Sequence, residues 1–320
     1  MERNFALTPL EVAEMLKISK NTVYELVKRG ELNSYRVGNK VRIEMKDIED
    51  YKNKSKKLQN TKQNDESVNS NMTLATPYQI EEGQENHDFV ICGQDIMLDI
   101  LSRYLQHNVK GIQALRSYTG SYNGLYALYH GSVQITATHL WDGDTGQYNI
   151  PYVKRMLPGI AAIIVHLAKR MQGIYVAKGN PKGIKGLEDL KQPGIKIINR
   201  EKGSGTRILL DEHLKRLGIS TQSVAGYERE CFSHLAVAST VSRGEADFGI
   251  GNEKTSQQVK GIDFIPLQTE SYELVIKKED IQKPYFQSVL QIIRSDEFKL
   301  ELQGIGGYDL KDLGKITAET

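Results

Sequence analysis

The sequence predicts an α/β protein in which a small winged helix-turn-helix head precedes a large two-lobed domain. Three observations predict it. The N-terminal part carries two short helix signals, a glycine-turned hairpin and a third helix signal. A polar stretch nearly free of apolar residues then interrupts the chain. Beyond residue 87, short β-branched runs alternate with helical periodicity, and two of the strand-to-helix turns carry glycines and hydroxyls at the helix entrance.

The head is read from its caps. Thr8-Pro9-Leu10-Glu11 is a capping box with proline at the first helical position, and Val12, Ala13 and Leu16 give the short helix an apolar face. After Lys17-Ile18, Ser19 opens a second helix through Val23, Leu26 and Val27 to a stop at Gly30. Ser34-Tyr35-Arg36-Val37 and Lys40-Val41-Arg42-Ile43 flank the two-residue turn Gly38-Asn39, the pattern of a β-hairpin. Met45 to Tyr51 closes the unit as a third helix, so the head takes residues 1–57. From 58 to 86 the chain is a polar tether with little to bury, preceded by the basic run Lys52, Lys54, Lys56 and Lys57.

The large domain, 87–320, follows a strand–helix rhythm and is expected to build mostly parallel sheets. Phe89-Val90-Ile91-Cys92 and Ala114-Leu115-Arg116-Ser117 read as strands separated by a helix from Ile96 to Leu105. Tyr118-Thr119-Gly120-Ser121 turns into a helix ending at His130-Gly131, and Val133 to His139 is the next strand. Gly194-Ile195-Lys196-Ile197-Ile198 is another strand. It leads through Gly203-Ser204-Gly205-Thr206-Arg207 into a helix with Gly218 as its stop. Ser233-His234 opens a helix running to Gly244, and Ala246 to Ile250 is a strand. Unpaired backbone N–H groups and the positive end of the dipole favour an anion at a helix entrance. Ligands in such sheets sit outside the carboxyl ends of the strands, so two facing lobes would bring both entrances to one cleft.

Composition sets limits. At 320 residues the chain suits two or three domains, and its formal net charge of +2 does not announce nucleic-acid binding, which must come from a local patch. Cys92 and Cys231 give neither a disulfide framework nor zinc spacing. Met1-Glu2-Arg3-Asn4-Phe5 lacks the apolar core of a signal peptide, and Ile160 to Val165 is too short to span a bilayer. A cytoplasmic chain with no membrane contact is expected. Gly203-Ser204-Gly205 fails the dinucleotide fingerprint because Ile208 holds the third glycine's place. Asp142-Gly143-Asp144-Thr145-Gly146 departs from a calcium loop at Gln147 and Val153 and reads as a turn. With no nucleophile elbow and no metal-ligand spacing, the expectation is a binding protein, not an enzyme, with no metal and no cofactor.

Two resemblances sharpen this. Leu7 to Leu16, Thr22-Val23-Tyr24 and Tyr35-Arg36-Val37-Gly38 resemble the excisionase-type, MerR-related DNA-binding domain, over roughly residues 5–52. It implies a recognition helix presenting Ser19, Lys20, Asn21, Thr22, Tyr24 and Lys28 to the DNA, with Arg36, Lys40 and Arg42 of the hairpin on adjacent backbone. Thr138-His139-Leu140 with Gly146-Gln147-Tyr148-Asn149, Val176 to Ile184, Gly203 to Arg207 and Gly226 to Glu230 resemble the cytoplasmic periplasmic-binding-protein-like domain related to molybdate-binding proteins. This second resemblance spans roughly 87–312 and implies a type II binding-protein fold. Lobe 1 would take about 87–178 and 272–320, and lobe 2 about 179–271, with crossings near Gly173–Asn180 and Ile265–Ile276. The C-terminal segment from Tyr285 to Ile293 would pack back on the first lobe.

A tetrahedral oxyanion can be held by hydroxyls and backbone N–H groups at helix entrances. Ser117, Ser121, Ser204 and Thr206 are the first candidate donors, with Gly120 and Gly205 letting backbone approach. Thr138, His139, Ser233 and His234 come second, each at a similar strand end. Arg207 faces the anion or pairs with Glu201 or Asp211, and His139 is a hydrogen-bonded structural histidine or a ligand. The expectation is a transcriptional regulator that binds double-stranded operator DNA as a homodimer and senses a small anion, molybdate or tungstate first. Two alternatives stay open: an oxyanion storage protein with a docking head, and a regulator sensing a small organic ligand.

Overall fold

The computed structural model describes residues 6–16, 18–28, 32–38, 40–48, 51 and 87–320, in two compact units divided near residue 76. The expected tether at 58–86 lies outside the described residues.

In the head, β1 (Ala6–Leu7) is followed by α1 (Pro9–Leu16), α2 (Lys20–Lys28), the hairpin β2 (Tyr35–Val37) and β3 (Lys40–Glu44), and a helical turn α3 (45–48). The capping box forms: Thr8 N–H donates to Glu11 Oε2 at 2.7 Å, and Glu11 N–H reaches back to Thr8 Oγ1 at 3.4 Å. Ser19 caps α2 by accepting from Thr22 N at 3.1 Å. Val12, Ala13, Val23, Leu26, Leu32, Ile43 and Ile48 make one buried cluster. Each large aliphatic side chain there contributes roughly 1.5–3 kcal/mol. The hairpin gains a third strand, since β1 pairs with β3 and the order is β1-β3-β2. Two residues leave too little pattern to announce that strand.

The large unit runs β4 (His87–Cys92), α4 (Ile96–Asn108), β5 (Ile112–Ser117), α5 (Ser121–Tyr129), β6 (Ile135–Thr138), α6 (Ile150–Met156), β7 (Ala162–Ala177), β8 (Ile197–Arg200) and α7 (Gly205–Leu217). It continues β9 (Glu230–Cys231), α8 (His234–Ser242), β10 (Phe248–Asn252), α9 (Glu253–Ser256), β11 (Ile262–Lys277), α10 (Pro284–Ile293), α11 (Asp296–Ile305) and β12 (Ile316–Glu319). One continuous sheet of order β5-β4-β6-β11-β7-β10-β8-β9 joins these strands, with β12 also on β7. The expectation of mostly parallel sheets is corrected here. Pairings at both flanks are parallel, but β7 and β11 run antiparallel to each other and to β10 and β6 respectively.

β7 and β11 are the crossings between lobes, each 16 residues long and paired from Ala162–Lys277 to Ala177–Ile262. The first crossing lies earlier than Gly173–Asn180. Lys169-Arg170-Met171-Gln172 looks like a break between two apolar runs, yet it stays in strand, with Arg170 opposite Glu270. Lobe 1 packs α4, α10 and α11 on one side of its strands, with Phe89 edge-on to Phe286 at 5.1 Å, and α5 and α6 on the other. Lobe 2 packs α7 and α8 around β8 and β10. A lobe 1 excursion after β6 also reaches lobe 2. Trp141 sits buried in the lobe 2 cluster, stacked on His213 at 4.5 Å, while Gly143 N–H donates to Glu212 at 3.2 Å.

Candidate functional site

A cavity lies where the two lobes and the two crossing strands meet. Gln94 and Asp95 reach it from the start of α4, Gly120 and Ser121 from α5, Ser204 and Gly205 from α7, and His234 from α8. Arg170 of β7, Arg200 of β8, His139 and Tyr272 also line it, among other residues. Its volume is about 40 Å³, where one water takes roughly 10–15 Å³. That leaves room for three or four small groups.

The lobes touch across it. Tyr122 N–H donates to Gly203 O at 3.0 Å, joining the α5 entrance to the α7 turn. A Cβ on Gly120 would stand 2.6 Å from Gly203 O, and one on Gly205 2.6 Å from the His139 ring. Both positions therefore need glycine for close approach. Gln94 spans the gap, donating to Glu201 Oε1 at 2.9 Å and accepting from Arg200 Nη2 at 2.6 Å. No side chain caps α5 at Gly120, so its entrance is left to backbone donors.

Two buried guanidinium groups organise the charges. Arg170 donates to Asp95 Oδ2 at 2.5 Å and pairs with Glu270, and its guanidinium lies 4.0 Å from the centre of the Tyr272 ring. Glu270 also meets His139 Nδ1 at 2.6 Å. Burial would raise the Glu270 carboxyl, but Arg170 and His139 outweigh it and hold it well below the usual carboxylate range. Arg200 makes a two-point pair with Glu201, at 2.8 Å on each oxygen. Burial, then Arg200 and Arg170, push His234 well below the ordinary imidazole value, so it is neutral. Arg170 Nε, His234 Nδ1 and Tyr272 Oη are buried with no partner on residues that line the cavity, and His139 Nδ1, though close to Glu270, also lacks hydrogen-bond geometry. Buried groups of this kind ordinarily find a partner.

Of the candidate anion donors, Gly120, Ser121, His139, Ser204, Gly205 and His234 line this cavity. Five do not. Ser117 Oγ is 3.0 Å from Thr119 Oγ1, and Ser233 caps α8 by accepting from Ala236 N at 3.1 Å. Thr138 and Thr206 are buried away from the cavity with unpartnered hydroxyls. Thr206 follows the lining residue Gly205 by one position, and one helical step turns its side chain about 100° aside. Arg207 points into lobe 2. Its Nε lies 3.5 Å from Asp211 and its Nη1 3.4 Å from Glu230, over the Tyr227 ring. It therefore pairs with Asp211, not Glu201. Sequence reasoning missed Arg170, Glu270, Asp95, Arg200 and Gln94. A signal existed for the first two: a polar interval interrupts both long apolar runs.

In the head, Val23 and Leu26 turn α2 inward, and Ser19, Lys20, Asn21, Thr22, Tyr24 and Lys28 are exposed, as is Lys40. Arg42 is half-buried and donates to Val41 O at 3.4 Å. The Arg36 side chain lies outside the described residues. Among the described residues no helix is long and apolar enough to cross a membrane.

Comparison with known proteins agrees with this architecture. A helix-turn-helix domain matches residues 6–56, and a PBP superfamily domain matches residues 102–294. The uncharacterised protein YvgK of Bacillus subtilis (strain 168) is 41% identical over 322 residues, covering 100% of each chain. An uncharacterised Clostridium pasteurianum protein from the 5′ region of a ferredoxin 2Fe-2S gene is 65% identical over 112 residues, 35% of this chain and 99% of its own. The solved structure of EhuB in complex with hydroxyectoine covers 70% of this chain and 90% of its own, with TM-score 0.51 and 11% identity, a likeness of fold alone. The chain belongs to the PBP superfamily, and it joins that two-lobed binding domain to a helix-turn-helix domain at the N terminus.

Proposed function

We propose that this protein is a DNA-binding transcriptional regulator whose large domain senses a small oxyanion, molybdate or tungstate first. The observation that carries the reading is a small cavity into which helix entrances of both lobes and two guanidinium groups converge. Helix N-termini and unpaired buried donors suit an acceptor-rich anion. A volume of about 40 Å³ suits a small one. An anion there would tie Ser121 of lobe 1 to Ser204 of lobe 2 and to Arg170 between them. Occupancy then favours the closed arrangement, because only that arrangement brings all three groups to one ligand. In this reading the chain acts in the cytoplasm as a homodimer on double-stranded operator DNA, without cofactor and without catalysis.

The test is thermal unfolding of the full chain with molybdate, tungstate, sulfate, phosphate and small organic acids. An anion at about a hundred times its Kd stabilises by about 2.7 kcal/mol. Stabilisation by organic acids alone contradicts the oxyanion. The regulator reading is tested separately by duplex binding at two salt concentrations. A chain that binds molybdate but no duplex is a store, not a regulator.

A further inference from the structure

We propose that α5 and the start of α8 form a docking surface for a second copy of this chain, laid across the seam between the lobes. This rests on the homodimer of the regulator reading and gives it an interface. No Asp, Glu, Lys or Arg occurs between Arg116 and Asp142, or between Glu230 and Arg243, although 26% of the chain is charged. Such stretches ordinarily belong to a core, yet here each one also puts large side chains into solvent. Tyr118, Tyr122, Tyr126 and Tyr129 are exposed on lobe 1, and Phe232 and Leu235 on lobe 2, with Phe232 at 75%. Tyr122, Tyr126 and Tyr129 recur at helical spacing and form one stripe on the outer face of α5, while Leu125 and Leu128 turn inward.

The two halves of the patch adjoin. Gln94 donates to Tyr118 O at 3.3 Å and accepts from Arg200 Nη2 at 2.6 Å, and Arg200 Nη2 also reaches Phe232 O at 3.4 Å. Three hydrogen bonds thus link Tyr118 to Phe232 across the seam. The rings are held in place before any partner arrives. Tyr118 Oη donates to Asp99 at 2.6 Å, and Tyr126 and Tyr129 pack against the His130 ring at 4.4 and 5.2 Å. Tyrosines held this way give contact area at low entropic cost, and aromatic residues without charges are the composition of an interface centre.

Together the six side chains expose the equivalent of about three whole ones, roughly 600 Å² at about 200 Å² each. One side of a standard interface buries about 800 Å², so the patch supplies most of what a stable dimer needs. Its chemistry selects the partner. Nucleic acid requires cations that these two stretches lack. A face without charge meets its own copy with no like-charge repulsion, and a twofold axis brings the same patch to both sides.

The experiment is sedimentation of the full chain as wild type, Tyr126→Glu, Phe232→Glu and Leu300→Glu. The wild type should be a dimer at micromolar concentration. Tyr126→Glu on one lobe and Phe232→Glu on the other should each weaken it about thirtyfold or more. Leu300 is as exposed, at 65%, but lies on α11, across the sheet from α5, so Leu300→Glu should leave the dimer intact. All three side chains are at the surface, so each variant should keep the wild-type melting temperature. A monomeric wild type overturns the proposal. So does a dimer that withstands either Tyr126→Glu or Phe232→Glu, or one that Leu300→Glu disrupts equally. Duplex binding separates this from the regulator reading. A dimer through the patch that binds no duplex sinks that reading alone, and a monomer that binds duplex sinks this proposal alone.

Discussion

The helix entrances and the strand crossing between the lobes meet at one cavity but are built on opposite principles. Each entrance is local: a strand end, a glycine, a hydroxyl and a helix within about ten residues, with donors supplied mostly by backbone. The crossing is non-local. Arg170 and Glu270 are a hundred positions apart, and only the pairing of β7 with β11 sets them side by side. Entrances use the polar groups that any helix start leaves unpaired. The crossing buries full charges, whose desolvation is tolerable only while every partner is present. Ligand affinity should therefore be most sensitive at the entrances, and fold stability at the crossing.

The largest effect expected is at Glu270. Glu270→Ala leaves Arg170 with Asp95 alone and removes the partner of His139, so urea unfolding should show a loss of about 3–5 kcal/mol. A loss under about 1 kcal/mol would place the crossing among ordinary surface ion pairs and break the contrast. Ser204→Ala should fall between the two classes. It removes a hydroxyl that lines the cavity and also the cap that accepts from Arg207 N at 3.2 Å. Stability should drop by about 1 kcal/mol while molybdate affinity weakens as well. Thr206→Val should do least. Its hydroxyl has no partner and does not line the cavity, so an apolar group of the same shape should leave affinity unchanged and stability equal or slightly higher. Weakened binding in that variant would return Thr206 to the site.

The same contrast explains what could be read from residues alone. Capping box, hairpin, glycine turns and the α7 stop at Gly218 are short-range patterns, and each formed where its residues stood. The crossing was read in fragments. Ile160 to Val165 reads as a buried strand, while the crossing near Gly173–Asn180 comes from the family resemblance; the polar residues between them interrupt the apolar run. In the fold Arg170 stands opposite Glu270 and is buried in an ion pair with it, within an interval that stays in strand. Within the entrances the missing information was rotational. Nothing local distinguishes Ser204 from Thr206 as the donor until the helix start is fixed at Gly205. Trp141 gave no warning either, since its partners His213 and Arg216 belong to the other lobe.

The claim that both lobes hold one anion is tested most directly by titrating molybdate into the full-length wild type, Ser121→Ala and Ser204→Ala. Each hydroxyl donated to a charged acceptor in a desolvated site contributes roughly 1.5–3 kcal/mol, so each variant should bind about tenfold more weakly or worse. Ser121 lies on lobe 1 and caps no helix, but its buried Oγ accepts from His139 N at 3.3 Å, so its substitution should also lower ligand-free stability by about 1 kcal/mol. Wild-type affinity in both variants, with molybdate bound, would contradict a ligand shared between the two entrances.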